Sequence, residues 1–374
     1  MRKLKVGIIT MHRVVNYGSF LQAYATQKII ENLGHDCEII DYVFPNKWHY
    51  EHGLKKNKQI KSMLSKFLGS FLYYAQPTKQ QKIMTSVNKH LKLSRTYKSP
   101  EEIHKNPPKY DVYCTGSDQT WNPKHMKGDS TFMLSFAPIH SRKISFSASL
   151  GCSNIDDKYK SIYKKYLSQY NSISIREANG LNLIKELSGK EATVTLDPTL
   201  LLNKKQWLEI VTKHNIFTKK NYILFYPMYH SFDPRPYIYE LLKMLQDKTK
   251  YDVFTFERLP KNLNIKNVFV GNCDVDDFLQ LFLNASFVVT NSFHGTAFAL
   301  NFGIPLYSII KKDNDPDDRQ INLLKYLNIE HCAVPLEKNF NEIMPYYDIK
   351  NQQEKLSQLR EISINYLNRA LISN

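Results

Sequence analysis

No stretch of this 374-residue chain approaches the roughly 20 consecutive apolar residues that a bilayer-spanning helix requires. The start, Met1-Arg2-Lys3-Leu4-Lys5, runs straight into a strand-like V-G-I-I-T, without the apolar core and small-residue cleavage site of a secretory signal. A cytoplasmic protein is expected. Cysteine is scarce: Cys37, Cys114, Cys152, Cys273 and Cys332 are odd in number, scattered, and form no C-x-x-C pair. Reduced thiols are the simplest reading, and no cysteine-clipped metal is expected. No helix-turn-helix, zinc-finger or RNP-type signature occurs, which disfavours a nucleic-acid partner. No repeat is visible beyond a coarse β-α alternation.

What is present is ample material for globular cores, with 42% hydrophobic and 13% aromatic residues. The length exceeds the usual single core, so two domains are the prior. A formal charge of +16 points to anionic partners: phosphorylated small molecules, nucleic acid, or an anionic membrane face. Lysines cluster in Lys55 to Lys66 and Lys79 to Lys92, interleaved with Phe67, Phe71, Leu72, Tyr73 and Tyr74. Such a stretch fits a lipid headgroup region, although the solvated face of an ordinary helical insertion is the plainer explanation.

Val288 to Pro305, V-V-T-N-S-F-H-G-T-A-F-A-L-N-F-G-I-P, reads as strand, turn and helix, because Phe287 to Thr290 is a short apolar run and Ala297, Leu300 and Asn301 follow Phe293 at helical spacing. Asn291, Ser292, His294 and Thr296 then sit beyond a strand's carboxyl end at a helix start, where unpaired N–H groups favour an anion. A histidine there is suited to proton transfer beside a bound phosphate or carboxylate. The plainer alternative is that Ser292 caps the helix and His294 donates to a carbonyl.

Three more loops occupy the corresponding place. After the β-run Lys5 to Thr10 and before the helix Ser19 to Leu33, His12, Arg13, Asn16, Gly18 and Gln22 would suit a hydroxyl-rich or anionic ligand. This first β-α turn lacks G-x-G-x-x-G, so no dinucleotide is implied. After the strand Tyr110 to Thr115 comes G-S-D-Q-T-W-N-P. Asp118, Gln119, Trp121 and Asn122 there resemble a sugar-binding surface, with the indole face on the ring and polar groups on the hydroxyls; a structural turn closed by Asn-Pro is the alternative. The strand Ser172 to Ile175 ends at Arg176-Glu177, either a phosphate fork or an ion pair at a helix start.

Further strands are expected at Cys37 to Tyr42, Lys143 to Ser149, Thr193 to Leu196, Tyr222 to Tyr226, Asp252 to Phe256, Asn267 to Val270 and Leu306 to Ile310. The fold class is therefore α/β, with two facing Rossmann-like domains: 1–203, carrying a helical basic insertion at about 44–108; 204–350; and a helix in 351–374 that packs back across the first domain.

The motifs H-R-V-V-N-Y-G-S-F-L-Q-A-Y-A, G-S-D-Q-T-W-N-P, S-I-R-E, L-D-P-T-L and N-S-F-H-G-T-A-F-A-L-N-F-G-I-P, in this order and spacing, resemble the polysaccharide pyruvyl transferase family. The resemblance implies a GT-B-like fold and transfer of the enolpyruvyl unit of phosphoenolpyruvate to a sugar, closing a cyclic ketal in surface polysaccharide (capsule, exopolysaccharide or cell wall) biosynthesis. It implies no cofactor beyond that co-substrate. It places His294 as the acid, and Arg176, Asn291, Ser292 and Thr296 on the donor side. The acceptor falls near His12 to Gln22 and Asp118 to Asn122. Familiar members carry R-L-H where this chain has Ser292-Phe293-His294, so Arg319, with Lys311 and Lys312 behind it, is the candidate replacement cation. The basic insertion is compatible with a lipid diphosphate-linked acceptor and with peripheral membrane contact. Two rivals stand beside this reading: a GT-B glycosyltransferase using a nucleotide sugar, and a non-catalytic carbohydrate-binding protein of the same pathway.

Overall fold

The computed structural model describes residues 2–44, 78–211, 220–229, 231–313, 315 and 319–372. The first half begins with β1 (Lys5–Ile9), the helix Tyr17–Asn32 and β2 (Asp36–Ile39), and continues with β3 (Val112–Thr115), β4 (Arg142–Ser145), β5 (Ile173–Ile175) and β6 (Ala192–Val194). The sheet order is β2-β1-β3-β4, and the β5-β6 pair extends it through bridges between Ile144 and Ser172 and between Ala148 and Ile175. The second half holds β7 (Tyr222–Tyr226), β8 (Asp252–Thr255), β9 (Asn267–Phe269), β10 (Phe287–Thr290), β11 (Leu306–Ile310) and β12 (Ala333–Pro335), in the order β12-β11-β10-β7-β8-β9. The strand pairs within each sheet are parallel, and strands such as Tyr-Ile-Leu-Phe-Tyr and Phe-Val-Val-Thr are buried throughout, as sheets covered by helices on both faces require. Each order reverses once, between β1 and β3 and between β7 and β10, and these switch points are where open α/β sheets hold ligands.

The halves share one apolar core. Tyr17 stacks on Phe278 at 4.5 Å and donates from its hydroxyl to the Cys273 carbonyl at 2.7 Å; Trp207 packs edge-on against Phe298 at 5.4 Å. Asn301 donates to the carbonyls of Thr199 and Leu202 at 2.7 and 2.9 Å, so the second half grips the segment leaving β6. The helix Ile349–Ile372 lies across both halves: Tyr366 donates to Ser145 O and Ser363 accepts from Leu196 N in the first, and Arg360 and Gln353 bond Asn301 and Leu300 O in the second.

Within 44–108 the described residues form the helices Lys79–His90 and Pro100–Lys105. The first buries Ile83 and Val87 in the shared core and holds Lys79 over the Tyr17 ring at 4.5 Å. The basic aromatic stretch Lys55 to Tyr74 lies outside the described residues. The helix expected to start at Glu177 runs from Leu181 to Ser188 after a short turn, and β12 was not expected, since its three residues carry almost no periodic signal.

Candidate active site

Loops from the carboxyl ends of both sheets meet around His294. It is the second residue of the helix Phe293–Phe302, which Ser292 caps with extended backbone and a hydroxyl that accepts from Gly295 N. The imidazole lies on Gly18, the second residue of Tyr17–Asn32; a Cβ at Gly18 would sit 2.1 Å from its Cγ and Nδ1. Two helix starts, one from each half, thus converge on one ring, each with partial positive charge and unpaired N–H groups. His294 Nε2 is buried and has no hydrogen-bond partner among the described residues, facing Asp197 Oδ2 across 3.8 Å. Burial holds the His294 pKa below the usual 6.5; Asp197 and Asp118 counter this, and Arg176 and Arg319 reinforce it. The free site therefore carries a neutral histidine at neutral pH.

Beside it runs a buried ion-pair chain. Arg176 donates from Nε to Glu177 at 2.9 Å and from Nη1 to Asp197 Oδ2 at 2.8 Å, while Nη2 is buried without a partner among the described residues. Asp197 also accepts from Ser117 Oγ at 2.9 Å and, on its other oxygen, from the backbone and hydroxyl of Thr199. Phe293 carries the Arg176 guanidinium over its ring at 4.3 Å and that of Arg319 at 5.6 Å. Arg176, Arg319, Asp197, Phe293 and Tyr326 help to line a cavity of about 130 Å³. Asp118, in left-handed backbone at φ 73°, accepts from Ser19 Oγ at 2.7 Å. Burial would raise its pKa, but His294 and Arg176 outweigh that and bring it to about 2.

The other sequence candidates fall into two groups. Arg13, Asn16, Gln119 and Arg319 keep partial exposure, and with its amide oxygen turned to Arg319, Gln119 accepts from both terminal guanidinium nitrogens at 3.2 and 3.3 Å. The rest are held inside the fold. His12 and Arg13 both bond Asp41, whose carboxylate burial would raise but Arg13, His12 and Thr96 hold well below its usual range. Asn16 caps its helix through Gly18 N, and Asn122 caps the turn at Pro123. Asn291 bonds the backbone of Met228 at the end of the neighbouring strand.

Four readings are corrected. Trp121 is 0% exposed, edge-on to Tyr170 at 5.5 Å, its N–H bonded to Phe132 O; no indole face is open to a sugar. Gln22 and Thr296 are equally buried, one bonded to Thr10 and Ser19 O, the other to Ser308, and the His12 ring is enclosed between Thr10 O and Asp41. None of the four presents a surface to a ligand.

Sequence reasoning assigned no role to Asp41, Ser117 or Asp197. Asp197 carried a signal, since Asp-Pro-Thr closes a strand as the other site loops do; Asp41, at the end of E-I-I-D, looked like the tail of an ordinary strand.

Among the described residues no group of three or more His, Cys, Asp and Glu is placed to hold a metal ion, and no helix is long and apolar enough to cross a membrane.

Comparison with solved structures places the architecture among GT-B folds. The UDP-GlcNAc 2-epimerase from Neisseria meningitidis, bound to UDP-GlcNAc, superposes with a TM-score of 0.51 at 10% identity, covering 98% of this chain and 93% of its own. That from Methanocaldococcus jannaschii gives 0.50 at 13% identity, covering 97% and 93%. At these identities the likeness concerns fold alone. No curated protein sequence gives a significant match. The family model for polysaccharide pyruvyl transferase matches residues 16–347, from the cap of the first helix to the segment before the last, and so takes in the other three site loops whole and the first from Asn16 onward. The chain belongs to the polysaccharide pyruvyl transferase family.

Proposed function

We propose that this pyruvyl transferase takes the enolpyruvyl unit of phosphoenolpyruvate and closes it as a ketal over two hydroxyls of a sugar, in surface polysaccharide biosynthesis. The observation that carries this reading is His294 Nε2, buried and unpartnered where two helix starts meet, with the unpaired Arg176 Nη2 and Arg319 beside it. An anionic donor at the helix starts favours the imidazolium, so on binding His294 takes up from solvent the proton that the free site excludes. His294 gives that proton to C3, C2 gains oxocarbenium character, and one sugar hydroxyl attacks it. Phosphate leaves with its bonding pair, and the second hydroxyl closes the ring; of the two hydroxyl protons, one restores the imidazolium and the other leaves with phosphate. A positioned acid contributes about 10²- to 10⁴-fold. The acceptor lies on the first-half side, near Asp118, Gln119 and Arg13, and the net charge of +16 suits a lipid diphosphate-linked one.

The test is phosphate release from phosphoenolpyruvate in the presence of a panel of sugar acceptors. His294→Ala is expected to abolish release while its circular dichroism stays that of the wild type; normal turnover by that variant sinks the assignment. A nucleotide-sugar glycosyltransferase would release a nucleoside diphosphate in the same assay run with nucleotide sugars.

A further inference from the structure

We propose that Asp197 is the positioning residue of His294: a carboxylate held rigid so that one oxygen faces Nε2 and stabilises the imidazolium. Its side chain is fully buried and its geometry is over-determined. Thr199 fixes Oδ1 with two donors, while Ser117 and Arg176 aim Oδ2, which faces Nε2 at 3.8 Å. That gap is too long for a hydrogen bond, so Nε2–H stays available to the donor while the carboxylate stabilises the imidazolium by its charge. On the opposite side Gly18 leaves the ring no room to retreat. The charged groups facing His294 are Asp197 after β6, Asp118 after β3, Arg176 after β5 and Arg319 from the helix beyond β11. With His294 protonated, three cations, Arg176, Arg319 and the imidazolium, meet three carboxylates, Asp118, Asp197 and Glu177. Asp197 is the carboxylate shared by Arg176 and His294, so it couples donor-side cation to acid.

This inference rests on His294 being the acid, but its test needs no turnover. In the full chain with isotope-labelled histidine, the His294 signal is assigned by its loss in His294→Ala and titrated by NMR. Asp197→Asn keeps the shape and removes the charge, and is expected to move the His294 midpoint to lower pH by about one unit or more. Ser117→Ala removes a donor from Oδ2 and leaves the carboxylate a stronger partner, so the midpoint is expected to rise. A folded Asp197→Asn protein with an unmoved midpoint overturns the proposal. Should that variant not fold, an unmoved or lowered midpoint in Ser117→Ala does the same. Shifted midpoints in a protein that releases no phosphate would keep the pair and refute the transfer reaction. Turnover with unmoved midpoints would do the reverse.

Discussion

Removing the guanidinium at 176 and adding a methyl group at 18 are expected to damage the protein in different ways. Arg176 sits between Glu177 and Asp197, all three buried, so Arg176→Ala strands two carboxylates without their counter-charge. Breaking a buried pair in this way costs about 3–5 kcal/mol, and chemical denaturation should register that loss whether or not donor affinity also falls. Unchanged stability would show the chain of ion pairs to be dispensable. Gly18→Ala instead drives a Cβ into the His294 ring. A stability loss of about 1–3 kcal/mol is expected. Turnover should fall about 10²-fold, because a small displacement of a catalytic group is enough; wild-type turnover would mean that the ring is not held there. At this scale the sequence was half legible. His294 stood out because a strand end, a cap and a helix start coincide within a few residues. Trp121 misled because an aromatic residue among polar neighbours looks the same whether its face is open or packed on Tyr170. Asp197 needed the fold, since only three dimensions bring it to a residue nearly a hundred positions away.

The elements were better marked than the side chains. Strands buried on both faces must be continuous apolar runs, so β7, β10 and β11 were bounded in the sequence as they are in the structure. Caps hold helix starts in the structure: Asp274 with Asp277 and Asn203 with Gln206 each form a reciprocal pair. The short β12 was invisible because its strand identity comes from pairing with β11. The helix Ile349–Ile372 shows what an element can do that its own sequence hides. Its exposed face looks like that of any amphipathic helix, yet its bonds to Ser145, Leu196, Leu200 and Asn301 tie the two halves together. Deleting it would remove Leu356, Leu367 and Leu371 from the shared core and leave Leu196 N–H without its partner. The truncated chain is expected to lose cooperative unfolding in a thermal melt; a sharp transition near the wild-type temperature would show that the helix is an accessory.

For the whole molecule, the shared core and the buried charges make one expectation about pH. His294 has a pKa depressed in the folded state, so the unfolded chain takes up its proton first as pH falls below 6.5, and stability declines from there. Asp118 is depressed from 3.8 to about 2, so its contribution is present above 3.8 and lost as pH falls toward 2. Both act in the same direction, as do His35 and His90, whose pKa values burial also lowers, so denaturation midpoints should fall steadily on acidification, with the upper limb of the decline shallower in His294→Ala. A His294→Ala protein with the wild-type pH profile would contradict the burial of a neutral imidazole. The two-half architecture was readable from strand and helix alternation. That the halves meet through Gly18 and His294 was not, because neither residue announces its partner. The central claim remains chemical, and mass spectrometry of sugar acceptors after incubation with phosphoenolpyruvate tests it most directly. The wild-type chain is expected to leave a pyruvyl ketal on the acceptor, and His294→Ala none. The same adduct formed by both proteins, or a glycosyl adduct from a nucleotide sugar in its place, would contradict the claim.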